Sequence, residues 1–429
     1  MRLCMIGTGY VGLVSGACFA DIGHQVICVD NDQEKIKMLV LGRIPIYEPG
    51  LEELVKRNLK KKSISFTTSI AEGTKKSQVI FIAVGTPPKD CGEPDLSAVE
   101  QVSQEIGMAM GEYKLIVEKS TVPVQTGKWV RTTIQRFNRS GVDFDVASNP
   151  EFLREGSAID DFLHPDRVVL GVENDRAKQL MLEIYEPIGG IKIVTDIESA
   201  ELIKHASNSF LSMKISFINA ISRICELTGA DVVKVSDGMG LDKRIGREFL
   251  NAGAGFGGFC FPKDLKAFIG IAKRLGYDFN LLKEVENINS NQQRHIVDKL
   301  EKLLWNIKDK TVGILGLSFK PDTDDMRYAP SITIIEMLQT SGARIKAYDP
   351  VAMDKAKLVL KNVEFCPNPY KVAEAADAIM LVTEWSEFKD LDFARIKKSM
   401  RQPVILDGRN MFDPQEIRGL GFIYEGIGR

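Results

Sequence analysis

At 429 residues, 44% apolar and 27% charged, the chain is long enough for two or three globular domains and carries no compositional mark of disorder or of a fibrous protein. Its 56 Lys and Arg nearly cancel 58 Asp and Glu, and the net charge of -2 argues against nucleic acid or an anionic membrane as principal partner. Seven cysteines, at 4, 18, 28, 91, 225, 260 and 366, form no CxxC pair and suit a reducing compartment, while four scattered histidines, at 24, 164, 205 and 295, offer no metal-ligand spacing.

The chain enters a strand at once, Arg2 to Ile6, with no basic, signal-like leader. No run reaches the roughly 18 apolar residues of a membrane span, so a cytoplasmic protein is expected. Gly7-Thr-Gly-Tyr-Val-Gly12 follows that strand and opens a helical pattern, and the next strand, Gln25 to Val29, runs into Asp30. This is the context of a dinucleotide fingerprint. Gly7 permits a tight turn, Gly9 lets the backbone approach a pyrophosphate, and Gly12 allows close helix packing; Tyr10 and Val11 belong to the same turn, at a helix N-terminus rich in unpaired N–H groups. Asp30 is placed to accept ribose hydroxyls and repels a 2′-phosphate, which selects NAD over NADP, with Lys35 the nearby cation. Lys60-Lys61-Lys62 reads as a solvated helix end.

Strand-like runs at Val79 to Val84, Leu115 to Lys119 and Asp145 to Ser148 complete a parallel sheet covered by helices. Ligands in such folds sit beyond the carboxyl ends of the strands, so Thr86, Ser120 and Thr121 either contact cofactor or substrate or simply form turns. Asn149-Pro-Glu-Phe-Leu-Arg-Glu155 begins with a turn signal and is expected to put Glu151 and Glu155 on one helical face, solvated or catalytic. From Glu198 to Thr228 no Pro or Gly interrupts a helical run of about 45 Å, a spine between domains. On it Lys204 and Asn208, four apart, share one face and can hold an oxygen that gains negative charge.

Gly255-Phe-Gly-Gly-Phe-Cys-Phe-Pro-Lys-Asp264 places Cys260 after a glycine-rich approach. Pro262 suits a first helical turn, and a helix N-terminus beside Lys263 favours thiolate, so Cys260 is expected to be a nucleophile rather than a structural thiol. Asp264 lies one turn on and can order a hydrolytic water. An enzyme that carries an alcohol past the aldehyde to the acid needs such a nucleophile; a simple dehydrogenase does not. The alternation resumes at Thr311 to Leu315, Arg344 to Tyr348, Ala378 to Val382 and Pro403 to Leu406, predicting a second doubly wound sheet.

Taken together, these segments resemble the nucleotide-sugar 6-dehydrogenases of the UDP-glucose/GDP-mannose dehydrogenase family along nearly the whole chain. The matching stretches are Gly7 to Gly12, Val84 to Pro87, Lys119 to Pro123, Asn149 to Gly156, Pro165 to Arg167, Glu201 to Asn208, Arg244 to Gly246, Gly255 to Asp264, Gly316 to Lys320, Asp322 to Arg327 and Asp407 to Arg409. The resemblance implies an α/β fold of two doubly wound Rossmann-like domains joined by a long central helix: 1–197 binding NAD, 198–300 central, dimer-forming and catalytic, and 301–429 binding the UDP-sugar. It implies NAD-dependent, four-electron oxidation of UDP-glucose to UDP-glucuronate by a homodimer, with Cys260 as nucleophile and Lys204, Asn208, Asp264, Thr121 and Glu151 as polar catalytic groups. Glu155, Lys263 and Arg327 are implied near the cofactor. Phe152, Leu153, Arg154, Phe249, Leu250, Asn251, Ala252, Gly253, Gly257, Phe319, Lys320 and Arg409 are implied around the substrate together with Glu151, Glu155, Lys204 and Asn208, and Arg244 reaches the partner subunit's site. Phe259 stands where the family usually has a small residue, and is expected to pack away from the site as an anchor for the glycine-rich loop. Sister activities on GDP-mannose or a UDP-N-acetylhexosamine, a simple hydroxyacid dehydrogenase, and a non-catalytic NAD sensor remain as alternatives.

Overall fold

Every residue of β1 (Arg2–Ile6) after Arg2 is buried, and the pleat sends Leu3 and Met5 into one apolar cluster and Cys4 and Ile6 into another. A strand buried on both faces must be covered by helices on both, which is how the first unit is built. The computed structural model describes residues 1–89 and 94–429, so Cys91 lies outside the described residues. They form two compact units, Met1–Ser207 with Lys266–Gly276, and Asn208–Leu265 with Tyr277–Arg429; the division falls inside the helices Ile197–Thr228 and Cys260–Arg274.

The first unit continues with β2 (Gln25–Val29), β3 (Ile64–Thr67), β4 (Val79–Ile82), β5 (Lys114–Glu118), β6 (Phe144–Ser148), β7 (Arg167–Val172) and β8 (Ile191–Thr195), in the spatial order β3-β2-β1-β4-β5-β6-β7-β8. Strand order reverses between β1 and β4, the switch point beside which doubly wound sheets bind ligands. One feature departs from the expected parallel sheet: β7 runs antiparallel to β6. The connection between them holds only a short helix, Ala158–Leu163, and does not cross back over the sheet as a parallel pairing requires.

In the second unit β9 (Thr311–Leu315), β10 (Arg344–Tyr348), β11 (Val363–Phe365), β12 (Ala378–Leu381), β13 (Val404–Asp407) and β14 (Ile423–Glu425) form an all-parallel sheet ordered β11-β10-β9-β12-β13-β14. Here too the pleat divides the core, with Val404 and Leu406 on one face and Ile405 on the other. The turn after β9 needs Gly316, whose φ is +85° and whose added Cβ would meet the Thr383 side chain at 2.4 Å. Replacing Gly316 with alanine should cost about 3 kcal/mol or more, seen as a lower midpoint of urea unfolding.

Two carboxylates are buried beside the helix Thr126–Phe137. Glu201 accepts the Gln125 and Gly127 N–H groups at 2.6 and 2.8 Å, satisfying donors that a helix N-terminus leaves open. Glu118, at the end of β5, accepts the Ser120 N–H at 2.9 Å through one oxygen. Burial pushes Glu118 up to about 8 and Glu201 up to about 7. Both therefore bind protons more tightly folded than unfolded, so their contribution to stability is complete below the ordinary glutamate range and is lost as pH rises through 7 and 8. The melting temperature should fall between about pH 5 and pH 8.5, and Glu118→Gln should flatten that fall in a calorimetric pH series.

Candidate active site

The fingerprint turn leaves room where a dinucleotide needs it. Gly7 has φ +102° and its Cβ would strike the Ala83 carbonyl at 2.4 Å; a Cβ at Gly12 would strike the Gly7 carbonyl at 1.9 Å, whereas Gly9 faces open space. The helix Tyr10–Asp21, with Gly9 as its N-cap, has no capping side chain and points its first N–H groups at that space, with Val11 half-buried in its first turn. Asp30, at the end of β2, accepts the Thr8 N–H and hydroxyl at 2.9 and 2.7 Å and the Asp32 N–H at 3.0 Å, with Lys35 at 3.7 Å. Burial pushes its carboxyl up, but these hydrogen bonds and the ammonium outweigh that and hold it below the usual range. An ionised Asp30 beside an open turn fits NAD. Thr86 donates its hydroxyl to the Thr121 carbonyl at 3.0 Å, and Ser120 donates to the Val84 carbonyl at 2.8 Å, so the two strand-end loops brace one another.

The segment after β6 is not the helix expected from its spacing. Residues 149–157 are irregular and the next helix starts at Ala158. Glu151 accepts the Leu153 N–H at 2.6 Å, a local turn that competes with helical bonding, and Gly156 sits at φ +87°. Glu151 and Glu155 therefore share no helical face. Glu151 is buried and accepts from Lys204 Nζ at 2.9 Å, while the same ammonium donates to the Glu151 carbonyl at 2.6 Å. The pair is not an exposed stripe: Lys204 is 4% and Asn208 7% accessible. The Phe152 ring lies between Arg167, 3.9 Å from its centroid, and Lys204, 5.3 Å from it. Arg154 is exposed and forks onto Asp161. Glu155 is half-buried beside Tyr10, whose hydroxyl it helps to keep protonated. Sequence reasoning missed Glu48, a buried carboxylate that receives the Tyr10 hydroxyl and the Gly156 and Ala158 N–H groups, the latter two at 2.6 and 2.7 Å, and so ties this loop down. Its only local signal is the turn Tyr47-Glu-Pro-Gly50, which says nothing about partners so distant in sequence.

In the second unit Cys260 is the first residue of its helix and is exposed, as expected of a nucleophile at a helix N-terminus. Five other described cysteines, 4, 18, 28, 225 and 366, are buried, and burial raises the pKa of each, Cys18 and Cys28 to about 12. Asp264, 1% accessible, accepts the Asn208 amide at 2.7 Å and the Lys263 ammonium at 2.6 Å. Phe259 is not a core anchor: it is half-buried, with the Arg327 guanidinium stacked 4.2 Å from its centroid and Lys263 5.5 Å away. Arg327 is also forked onto Asp325.

The glycine-rich approach to Cys260 is clamped by amides from two helices. Asn219 accepts the Gly253 N–H at 2.8 Å, Gln292 donates to its carbonyl at 3.0 Å, and Asn289 bonds both the N–H and the carbonyl of Phe256. Gly257 fits because a Cβ there would meet the Tyr328 carbonyl at 2.3 Å. Phe249 has a left-handed backbone, φ +64°, Leu250 and Ala252 are buried, and Asn251 is exposed and accepts from Arg247 at 2.8 Å. Arg409 donates to the Val382 carbonyl at 2.7 Å and to the Phe319 carbonyl at 3.2 Å, bringing Phe319 and Arg409 together next to the half-buried Lys320. Arg244 stands apart, its side chain 89% exposed and forked onto Asp242.

Comparison with known proteins agrees with this arrangement. Residues 1–189, 198–291 and 313–414 match, in turn, the NAD binding, central and UDP binding domains of the UDP-glucose/GDP-mannose dehydrogenase family. The chain is 49% identical to the UDP-glucose 6-dehydrogenase TuaD of Bacillus subtilis, over all of this chain and 93% of that protein. The structure of a UDP-glucose dehydrogenase from Pyrobaculum islandicum aligns with a TM-score of 0.94 at 40% identity, covering all of this chain and 97% of the other. That of a UDP-D-ManNAc dehydrogenase from Pyrococcus horikoshii aligns at 0.89 and 29%, covering all and 99%. A turn shaped for NAD, a thiol heading a helix and a match along the full length lead to one conclusion: the chain belongs to the UDP-glucose/GDP-mannose dehydrogenase family, and it is an NAD-dependent oxidoreductase.

Proposed function

We propose that the protein oxidises the C6 hydroxyl of UDP-glucose through the aldehyde to the carboxylate, yielding UDP-glucuronate. The observation that carries this reading is Cys260, an exposed thiol at the head of a helix, in a chain that also holds a dinucleotide turn. Gly7 to Gly12 and Asp30 hold NAD, which when bound accepts hydride, once for each of the two oxidations. The C6 hydroxyl gives its proton to water as hydride leaves, and Lys204 and Asn208 hold the oxygen as it gains negative charge. Glu151 and Asp264 aim those two donors, since each carboxylate holds one of them. The Cys260 sulfur then bonds to the aldehyde carbon and the oxygen takes a proton, giving a thiohemiacetal; its oxidation leaves a thioester. Water attacks the thioester carbon, the C–S bond breaks, the thiolate returns and the water's proton passes to a carboxylate.

We assign that last proton to Glu151. Both carboxylates accept through each of their oxygens, but Asp264, at 1% accessibility, is the more deeply buried, whereas Glu151, at 7%, is the more open to a water. The residues of 249–253, Gly257, Phe319, Lys320 and Arg409 are assigned to the sugar nucleotide, and Glu155, Lys263 and Arg327 to the cofactor side. In this reading 1–197, 198–300 and 301–429 act as cofactor, central and UDP-sugar domains. The greater likeness to UDP-glucose enzymes than to the UDP-D-ManNAc enzyme supports glucose as the sugar.

The active unit in this proposal is a homodimer. Phe210, Phe217, Ile224 and Leu227 on the spine are 57, 46, 56 and 88% exposed, and the seven-residue spacing of the first three makes a stripe that a second copy can cover. Arg244 then reaches the partner's site. A cytoplasmic location completes the proposal, since a catalytic thiol must stay reduced; no helix among the described residues is long and apolar enough to cross a membrane.

Supplied with UDP-glucose, the enzyme should form two NADH per UDP-glucuronate, counted by absorbance against chromatography of the product; one NADH per sugar, or turnover of GDP-mannose alone, would refute the assignment. Cys260→Ser should keep NAD affinity while losing turnover by about a thousandfold or more. Light scattering should give twice the chain mass, and Phe217→Glu should shift it toward the monomer.

A further inference from the structure

Lys119 is an ammonium buried where a lysine is rarely found without a carboxylate in contact, at 3% accessibility just past the end of β5. Its Nζ donates to three neutral oxygens instead: the Asn149 side-chain carbonyl at 3.0 Å, the Asn149 backbone carbonyl at 3.5 Å and the Tyr185 hydroxyl at 3.4 Å. Asn149 is itself fixed, by its N–H to the Glu118 carbonyl at 2.8 Å and by its amide to the Val169 carbonyl at 2.9 Å. Two residues further on stands Glu151. Lys119, Asn149, Glu151, Phe152, Arg167 and Tyr185 line one cavity of about 40 Å³, polar on the Lys119 side.

We propose that Lys119 is a positioning residue for Glu151: it clamps Asn149, and with it the start of the irregular loop, while its charge faces the cavity that Glu151 also lines. This rests on the assignment of Glu151 as the base of thioester hydrolysis. Lys204 bonds the carboxylate directly, beside the Leu153 N–H, and in this reading it also faces the C6 oxygen as charge develops there. A second cation bound to the loop leaves a positive charge near Glu151 whichever way Lys204 is engaged. The charged and titratable groups facing Lys119 are Glu151 on the loop after β6, Lys204 on the spine, Tyr185 after the helix Asp175–Ile184, Arg167 at the start of β7 and Asp161 on the helix Ala158–Leu163. Burial pushes Lys119 down to about 8, against the attraction of Glu151 and with the repulsion of Lys204. Its charge is therefore present at neutral pH and is withdrawn above pH 8.

The test uses full-length enzyme with UDP-glucose and NAD. Lys119→Gln, which keeps a donor for Asn149 but no charge, should lower kcat about tenfold at pH 7 with both KM values within about threefold, and should raise the acid limb of the kcat profile by about half a pH unit. The deficit should shrink above about pH 8.5, where the parent's lysine is neutral as well. Placed in a Glu151→Gln background, the same change should cause no further loss; a loss that simply multiplies, or an unmoved acid limb in the single variant, overturns the proposal. Lys119→Arg keeps the charge and should keep the acid limb, and it carries the test alone if the glutamine variant does not fold: a limb displaced despite the retained charge overturns the proposal equally. Near-normal turnover of Glu151→Gln by itself would instead remove Glu151 as the base and leave the clamp on Asn149 without this purpose.

Discussion

The irregular loop after β6 hangs on one buried ion pair, Lys204 with Glu151. Removing a carboxylate and an ammonium from water costs several kcal/mol each, and proteins tolerate it only where geometry returns most of that. Here Lys204 bonds both the carboxylate and the main-chain carbonyl of the same residue, so one side chain from the spine fixes a loop with no regular structure of its own. Leu153, Phe152 and Arg167 fall into place around it through the turn at Glu151 and the two cations on the Phe152 ring. Loss of either partner leaves an uncompensated charge, at a cost of about 3 to 5 kcal/mol.

The second sheet repeats the order of the first six strands of the first, yet only the first sheet has a turn open to a dinucleotide. After β1 the helix begins at Tyr10, directly behind Gly9, and Asp30 takes its bonds from Thr8 while remaining half-exposed. After β9 the next helix begins only at Pro330, and residues 316–329 intervene. Asp349, the counterpart of Asp30 at the end of β10, is 1% accessible. One of its oxygens accepts the Leu317 and Ser318 N–H groups and the Trp385 indole, the other the Val351 and Ala352 N–H groups. The indole thus takes an acceptor that a ribose hydroxyl would need. The long turn instead carries Phe319, Lys320 and Arg327, side chains suited to an aromatic base, a phosphate and a stacked cation.

Much of this was legible in the residues because it depends on local spacing. The fingerprint, the uninterrupted spine and the thiol ahead of Pro262 each declare themselves within one or two helical turns, and β1, β2, β9 and β10 lie where alternation put them. The failures have other causes. The edge strands β3, β8, β11 and β14 expose residues that weaken the apolar run, while β7 is a short buried run that periodicity cannot tell from a helix segment. Spacing reads the loop at 149–157 as a helix because the bonds that unwind it, from the Leu153 N–H onto Glu151 and from the Gly156 N–H onto Glu48, are invisible to periodicity. Spacing puts Phe259 in the core because its two cations, the exposed Arg327 and the buried Lys263, meet it through a fold that spacing alone does not draw.

The distribution of sulfur has a practical corollary. Water-borne oxidants and alkylating reagents act on accessible thiolates, and among the described cysteines burial withholds every thiol except that of Cys260. The selectivity usually sought by deleting background cysteines is thus already written into the cores of both sheets. An electrophilic probe carried to this enzyme reports on one position of the described chain, and the fraction labelled becomes a direct measure of how often that position lies uncovered.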